Sequence, residues 1–199
     1  MIYYDSKRTK PVDIKPDEDG IYHLKDNKTY YVFGFTYVLA GNKTRVNVFE
    51  NATVWALDNA TVNAFDNSKV RAFDNAWVIA GDNAIINSYD DSKVVACGDE
   101  NARVHSHDNS TITVCENTKV RAFDNSLVQA FNKASISAYD DSKVVAYADV
   151  KFYRTDNAKI HIDKPIAHSS KNGIKEIPWK ETKSLQENYF KNGFALLNK

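Results

Sequence analysis

From Asn51 the chain is written in eights: NATVWALD, NATVNAFD, NSKVRAFD, NAWVIAGD, NAIINSYD. The unit, Asn-Ala-x-Val-x-Ala-x-Asp, continues to about Asp140, with an insertion near Gly98-Asp99-Glu100 and a second departure after Tyr147. It runs back through Lys43 to Glu50 and, loosely, Phe35 to Asn42; Asn157 to Lys164 fits once more. Self-similarity at so short a period restricts the chain to a repeat architecture. Alternate positions are small or β-branched (Ala52, Val54, Ala56; Ala60, Val62, Ala64), and those between them vary freely (Thr53, Trp55; Thr61, Asn63). Period two with one fixed apolar side is the pattern of a half-buried strand. Asp-Asn at each junction is turn chemistry. A strand this short cannot bury its apolar side alone and has to stack on its copies.

A second periodicity bears on the length of one coil. Every third unit carries Lys at its first variable position: Lys69, Lys93, Lys119 and Lys143, with Arg45 extending the series backwards. The segment YDDSKVVA, Tyr89 to Ala96, recurs intact from Tyr139 to Ala146. Read as one column, these residues predict an all-β, triangular, single-stranded parallel β-helix. Three 8-residue units then make a 24-residue coil, and about five coils stack at ~4.8 Å. The same winding stacks Asn51, Asn75, Asn101 and Asn125 at one corner, and Asn59, Asn83 and Asn109 at the next, as amide ladders. The aromatic residue before each turn (Phe65, Phe73, Tyr89, Phe123, Phe131, Tyr139, Tyr147) is expected to be at least partly buried.

The units resemble those of uncharacterised octapeptide-repeat solenoids of phage and mobile-element type, with the pattern Asp/Gly-Asn-Ala-x-Val-x-Ala-aromatic over roughly Lys43 to Tyr147. They are more distantly similar to pentapeptide-repeat proteins. The resemblance implies a β-solenoid and little more; the unit is eight residues rather than five, so the DNA mimicry of some pentapeptide-repeat proteins does not transfer.

Three parts are expected: an N-terminal segment and cap over 1–26, the solenoid over 27–164, and a C-terminal extension over 165–199 with a helix at 180–191. That helix has Leu185 and Tyr189 on one stripe and a stop at Gly193. Open sheet edges at both ends need such covers.

Charge narrows the function classes. Lys plus Arg and Asp plus Glu each number 26, so the net charge is zero. This argues against a generally basic nucleic-acid binder and a polybasic membrane anchor. There is no apolar run long enough for a membrane span and no signal-peptide core at Met1-Ile2-Tyr3-Tyr4-Asp5. Cys97 and Cys115 make no disulfide framework. The expectation is a cytoplasmic protein without cofactor or metal.

Three faces follow from the triangular winding. One carries Trp55, Trp77, Ile79 and Leu127 with Arg103 and His105. It is the expected docking surface for a protein partner, a second copy of this chain included, because Trp and Arg carry interface energy. Another carries Arg45, Lys69, Arg71, Lys93, Lys119, Arg121 and Lys143, the alternative site, for nucleic acid or an anionic nucleotide. Acids two or three residues before each lysine, such as Asp66 and Asp140, are expected to neutralise it. The third is small and polar: Thr61, Asn63, Asn87, Thr111, Thr113, Ser135 and Ser137. Catalysis has weak footing. No CxxC, HExxH, GxSxG or P-loop occurs, and only a site between subunits using His105 and His107 keeps an enzyme in view. A non-enzymatic scaffold that presents rigid faces is the expected function.

Overall fold

The computed structural model describes residues 1–98, 102–147, 149–155 and 157–162. Every strand alternates between two sheets. The even sheet takes β2 (Ile21–Leu24), β4 (Tyr37–Ala40), β6 (Thr53–Ala56), β8 (Lys69–Ala72), β10 (Ile85–Ser88), β12 (Arg103–Ser106), β14 (Lys119–Ala122), β16 (Ser135–Ala138) and β18 (Lys151–Thr155). The odd sheet takes β1 (Ile2–Tyr3), β3 (Thr29–Val32), β5 (Arg45–Val48), β7 (Thr61–Ala64), β9 (Trp77–Ala80), β11 (Lys93–Gly98), β13 (Thr111–Glu116), β15 (Leu127–Phe131), β17 (Lys143–Tyr147) and β19 (Lys159–Ile162). Pairing is parallel throughout, except that β1 lies antiparallel on β3. The all-β solenoid expected from the repeat is therefore present.

The triangular winding is not. Lys69 pairs in register with Thr53 and Ile85, and Lys93 with Trp77 and Thr111. Two units close a coil, with one strand in each sheet, so vertical neighbours are two units apart and not three. The even sheet alone has nine rungs, where about five coils were expected; at ~4.8 Å per rung it is roughly 38 Å from first to last.

The turns explain the winding. In the turn from Leu57 to Ala60, the Ala60 N–H donates to the Leu57 carbonyl at 3.1 Å, and Asp58 sits at φ 56°. The same arrangement recurs with Asp66, Asp74, Asp90, Asp108, Asp124 and Asp140 at positive φ. Asp tolerates this left-handed region better than most residues. Such a tight, hydrogen-bonded turn reverses the chain, and two reversals close a coil. A triangle needs shallower bends.

The Asp side chains also stitch coil to coil. The Asn42 N–H donates to Asp58 Oδ2 at 2.8 Å, that of Asp58 to Asp74 at 3.0 Å, and that of Asp74 to Asp90 at 3.1 Å. On the opposite edge the Glu50 backbone N–H donates to Asp66 Oδ2 at 2.8 Å and the Asp66 N–H to Asp82 Oδ2 at 3.0 Å. The ladder is thus carboxylate to backbone rather than amide to amide. Asn51 and Asn75 follow turns on opposite edges, and Asn101 lies outside the described residues.

Inside, Val54, Val62, Val70, Val78, Ile86, Val104, Ile112, Val128 and Ile136 are fully buried, and their inward neighbours two residues away are Ala or Ser, with Val114 beside Ile112. The small residues let the two sheets approach closely. The pre-turn rings are half-buried and stack on one another along the edges. At the N-terminus the first solenoid strand is β2, ahead of the expected boundary at residue 27. The terminal ammonium donates to the Phe33 carbonyl at 2.7 Å and helps pin β1 over the odd sheet. No helix occurs among the described residues; the one expected at 180–191 lies outside them.

Candidate functional site: the cationic face of the even sheet

With two-unit coils, the first and third residues of each four-residue strand point outward and make two columns on each sheet. The expected protein-docking set divides. Trp55, Arg103 and His105 are on the even sheet; Trp77, Ile79 and Leu127 are on the odd sheet. The expected lysine column divides as well: Lys69, Arg71, Lys119 and Arg121 are even, whereas Arg45, Lys93 and Lys143 are odd. Neither set is one surface, because a spacing of three units is one and a half coils.

The division concentrates charge on one side. Up the even sheet the outward pairs run Thr53 and Trp55, Lys69 and Arg71, Ile85 and Asn87, Arg103 and His105, Lys119 and Arg121, Ser135 and Ser137. Lys151 follows in register with Ser135. None of these outward positions holds an acid; the acids occupy the turns. The acids expected beside the cations flank this face along both edges, and among the described residues none is within ion-pair distance of it. Among the described residues the ion pairs are Arg8–Glu50, His23–Asp17, Lys28–Asp26 and His107–Asp124, and none involves this face. Arg103 stacks directly on Lys119, and His105 on Arg121. Like charges at ~4.8 Å repel by roughly 0.9 kcal/mol even in water.

A depression of ≈ 550 Å³ opens here, lined by Ile85, Arg103, His105, Lys119, Arg121, Ser135, Ser137 and Tyr153. Its origin is a difference in side-chain length. The two serines form a low floor between the long cations of β14 and the following rung. That rung is irregular: the register slips between Ile136 and Ser137, so that Ser135 faces Lys151 but Ser137 faces Arg154. Tyr153 is the extra residue of this bulge and is 72% exposed. Bulges re-aim side chains in this way beside sites. The repeat pattern alone did not single out Tyr153, because it breaks the period; the signal was the departure after Tyr147.

Burial, and then the charges of Arg121, His107 and Arg103, hold the His105 imidazolium pKa below its ordinary value. His105 is therefore a neutral hydrogen-bonding group at neutral pH, set among cations. His107 is elsewhere in character. Its ring is stacked between Tyr89 and Phe123 at centroid distances of 5.0 and 4.8 Å, with Nδ1 3.7 Å from Asp124. The two histidines do not converge on one target. Among the described residues no group of three or more His, Cys, Asp or Glu side chains can hold a metal.

Trp55 lies under the Arg71 guanidinium, 5.8 Å from ring centroid to Cζ. On the odd sheet Trp77, Ile79 and Leu127 form a more apolar strip with Val95, Gln129 and Val145. Cys97 and Cys115, read from the sequence as no disulfide framework, are register partners on β11 and β13 and form a disulfide. Thr111 and Thr113 share the odd sheet, while Ser135 and Ser137 floor the even-sheet depression. The chain matches no known family model, no curated protein and no solved structure.

Proposed function

We propose that this protein is a non-enzymatic binding module and that the even sheet is its working face, taking an anionic, phosphate-bearing ligand. The observation that carries the reading is the acid-free cluster of Arg103, Lys119 and Arg121 around a serine-floored depression. An anion seated there relieves the repulsion between stacked cations. Arg supplies paired N–H donors matched to phosphate oxygens, and the serine hydroxyls add neutral donors. The chain's zero net charge conceals this, because the compensating carboxylates line the edges. A protein partner gripping Trp55, Trp77 and Leu127 together has no common surface on which to act.

Binding of inorganic polyphosphate, followed by calorimetry across a salt series, tests the proposal. The expected result is association that weakens steeply as salt rises, falls at least ten-fold in the Lys119→Glu, Arg121→Glu double variant, and stays within two-fold in Lys93→Glu on the odd sheet. Absence of binding at low salt, or equal loss from both sheets, overturns it.

A further inference from the structure

Resting on that reading, we infer that the ligand is a single-stranded nucleic acid laid along the solenoid axis, with an unpaired base seated on Tyr153. Three features point beyond a compact anion. The first is length. Cations stand on four of the six even-sheet rungs from Lys69 on β8 to Lys151 on β18, a span of five rung spacings or roughly 24 Å, with Ile85, Asn87, Ser135 and Ser137 on the other two. A single nucleotide fills the depression and leaves Lys69 and Arg71 unused. A linear chain of phosphates reaches both ends, in the manner of grooves that track a single-strand backbone over about four nucleotides or more.

The second is width. The cationic strip is one strand wide, about 13 Å for four residues. The Asp column of Asp58, Asp74, Asp90, Asp108, Asp124 and Asp140 bounds it on one edge, and Glu50, Asp66, Asp82 and Glu116 stand on the other. One phosphate backbone fits between these rows. A duplex brings its second backbone against them and is repelled.

The third is Tyr153. A ring 72% exposed beside a floor of serines offers a flat apolar surface with space in front of it. Every base has a face that stacks on such a ring, whereas sulfated or carboxylated polysaccharides and polyphosphate carry no base. Ser135, Ser137 and neutral His105 then lie within the same depression as donors or acceptors to base edges or sugar hydroxyls.

The test is fluorescence anisotropy on the full chain. The probes are a labelled 12-nucleotide single strand of mixed sequence, the same sequence as a duplex, thymidine monophosphate as competitor, and heparin and polyphosphate as competitors without bases. Expected are binding of the single strand at least ten-fold tighter than of the duplex, negligible competition by the mononucleotide, and a loss on the order of ten-fold for the single strand in Tyr153→Ala with polyphosphate binding unchanged. Tyr153→Phe should keep the affinity for the strand. If heparin or polyphosphate binds as tightly as the strand and Tyr153→Ala changes nothing, the nucleic-acid assignment falls and the anion site stands. A duplex preference also overturns the assignment. If no polyanion binds, both readings fall together. Circular dichroism identical to the parent chain establishes that Tyr153→Ala is folded before its binding is read.

Discussion

The two sheets share an interior and differ outside. Inward, both present a Val or Ile flanked mostly by Ala or Ser, with Thr or Val at a few places, and these side chains are buried in both sheets. Outward, the even sheet stacks Arg103 on Lys119 and His105 on Arg121, while the odd sheet sets isolated lysines among Trp77, Ile79, Leu127 and Val145. The edges differ too. One carries an unbroken stack of Phe73, Tyr89, His107, Phe123 and Tyr139. The other starts with Phe33, Phe49 and Phe65, passes Gly81, replaces rings by the Cys97–Cys115 bond, and resumes with Phe131 and Tyr147. Burial is thus repeated along the interior of both sheets, and the differences between them lie at outward and turn positions.

The largest effects should test the sameness of the interior. Ile86→Ala on the even sheet and Ile112→Ala on the odd sheet should each cost about 2–5 kcal/mol and agree within about 1 kcal/mol, as read by guanidinium unfolding. A clear disparity would mean that the two sheets do not share one evenly loaded core. Next comes the difference between edges. The disulfide spans a sequence separation of 18, for which loop closure gives about 3 kcal/mol. Cys97→Ser with Cys115→Ser should lower stability by about 2–3 kcal/mol in oxidising buffer and have no effect in reducing buffer.

Smaller is the Asp ladder. Asp58→Ala loses the bond to the Asn42 N–H and places alanine at positive φ, at a cost of about 1–2 kcal/mol. Asp58→Asn should cost less than half as much, because Asn tolerates that backbone and keeps an acceptor. A cost for Asn equal to that for Ala would locate the effect in the charge.

The smallest effect is a pH dependence confined to the even sheet. His105 has a folded-state pKa below its unfolded value. The unfolded chain therefore binds more protons as pH falls below the ordinary histidine range near 6.5, and stability declines with falling pH until His105 itself protonates. His105→Gln should flatten that part of a melting-temperature series between pH 7.5 and 5.5. An unchanged slope would remove His105 as its source. Ligand anions favour the protonated form, so binding should tighten over the same interval in the parent chain and not in His105→Gln.

Much of the fold was legible because its causes are local. Alternation at Ala52, Val54 and Ala56 is enough for a strand with one side buried, and Asp-Asn is enough for a turn. What the motif lacks is the angle of that turn, which depends on Asp58 adopting positive φ and on the closing bond from Ala60 to Leu57. The lysine spacing misled for a related reason. It is a true regularity of three units, but on a two-unit coil it returns to the same sheet only after six. Lys69 and Lys119 therefore share the even face three rungs apart, and Lys93 and Lys143 share the odd one. Once the coil is known, the Cys97–Cys115 pairing follows from one coil plus the insertion. Arg103, His105, Lys119 and Arg121 were all recognised as candidates, but were assigned to different faces. Tyr153 was missed, because a residue that departs from the repeat is invisible to an argument built on the repeat.

The alternation of strands between two sheets has a consequence for how such a chain can lengthen or shorten. Gain or loss of one octet turns every downstream side chain over to the opposite broad surface, transferring cations to the apolar side and tryptophan to the basic one, while the interior barely notices. Gain or loss of a pair of octets leaves both surfaces as they were, merely longer or shorter. Inheritance of the binding strip thus depends on parity, and variants of this rod that keep its chemistry should differ by whole windings.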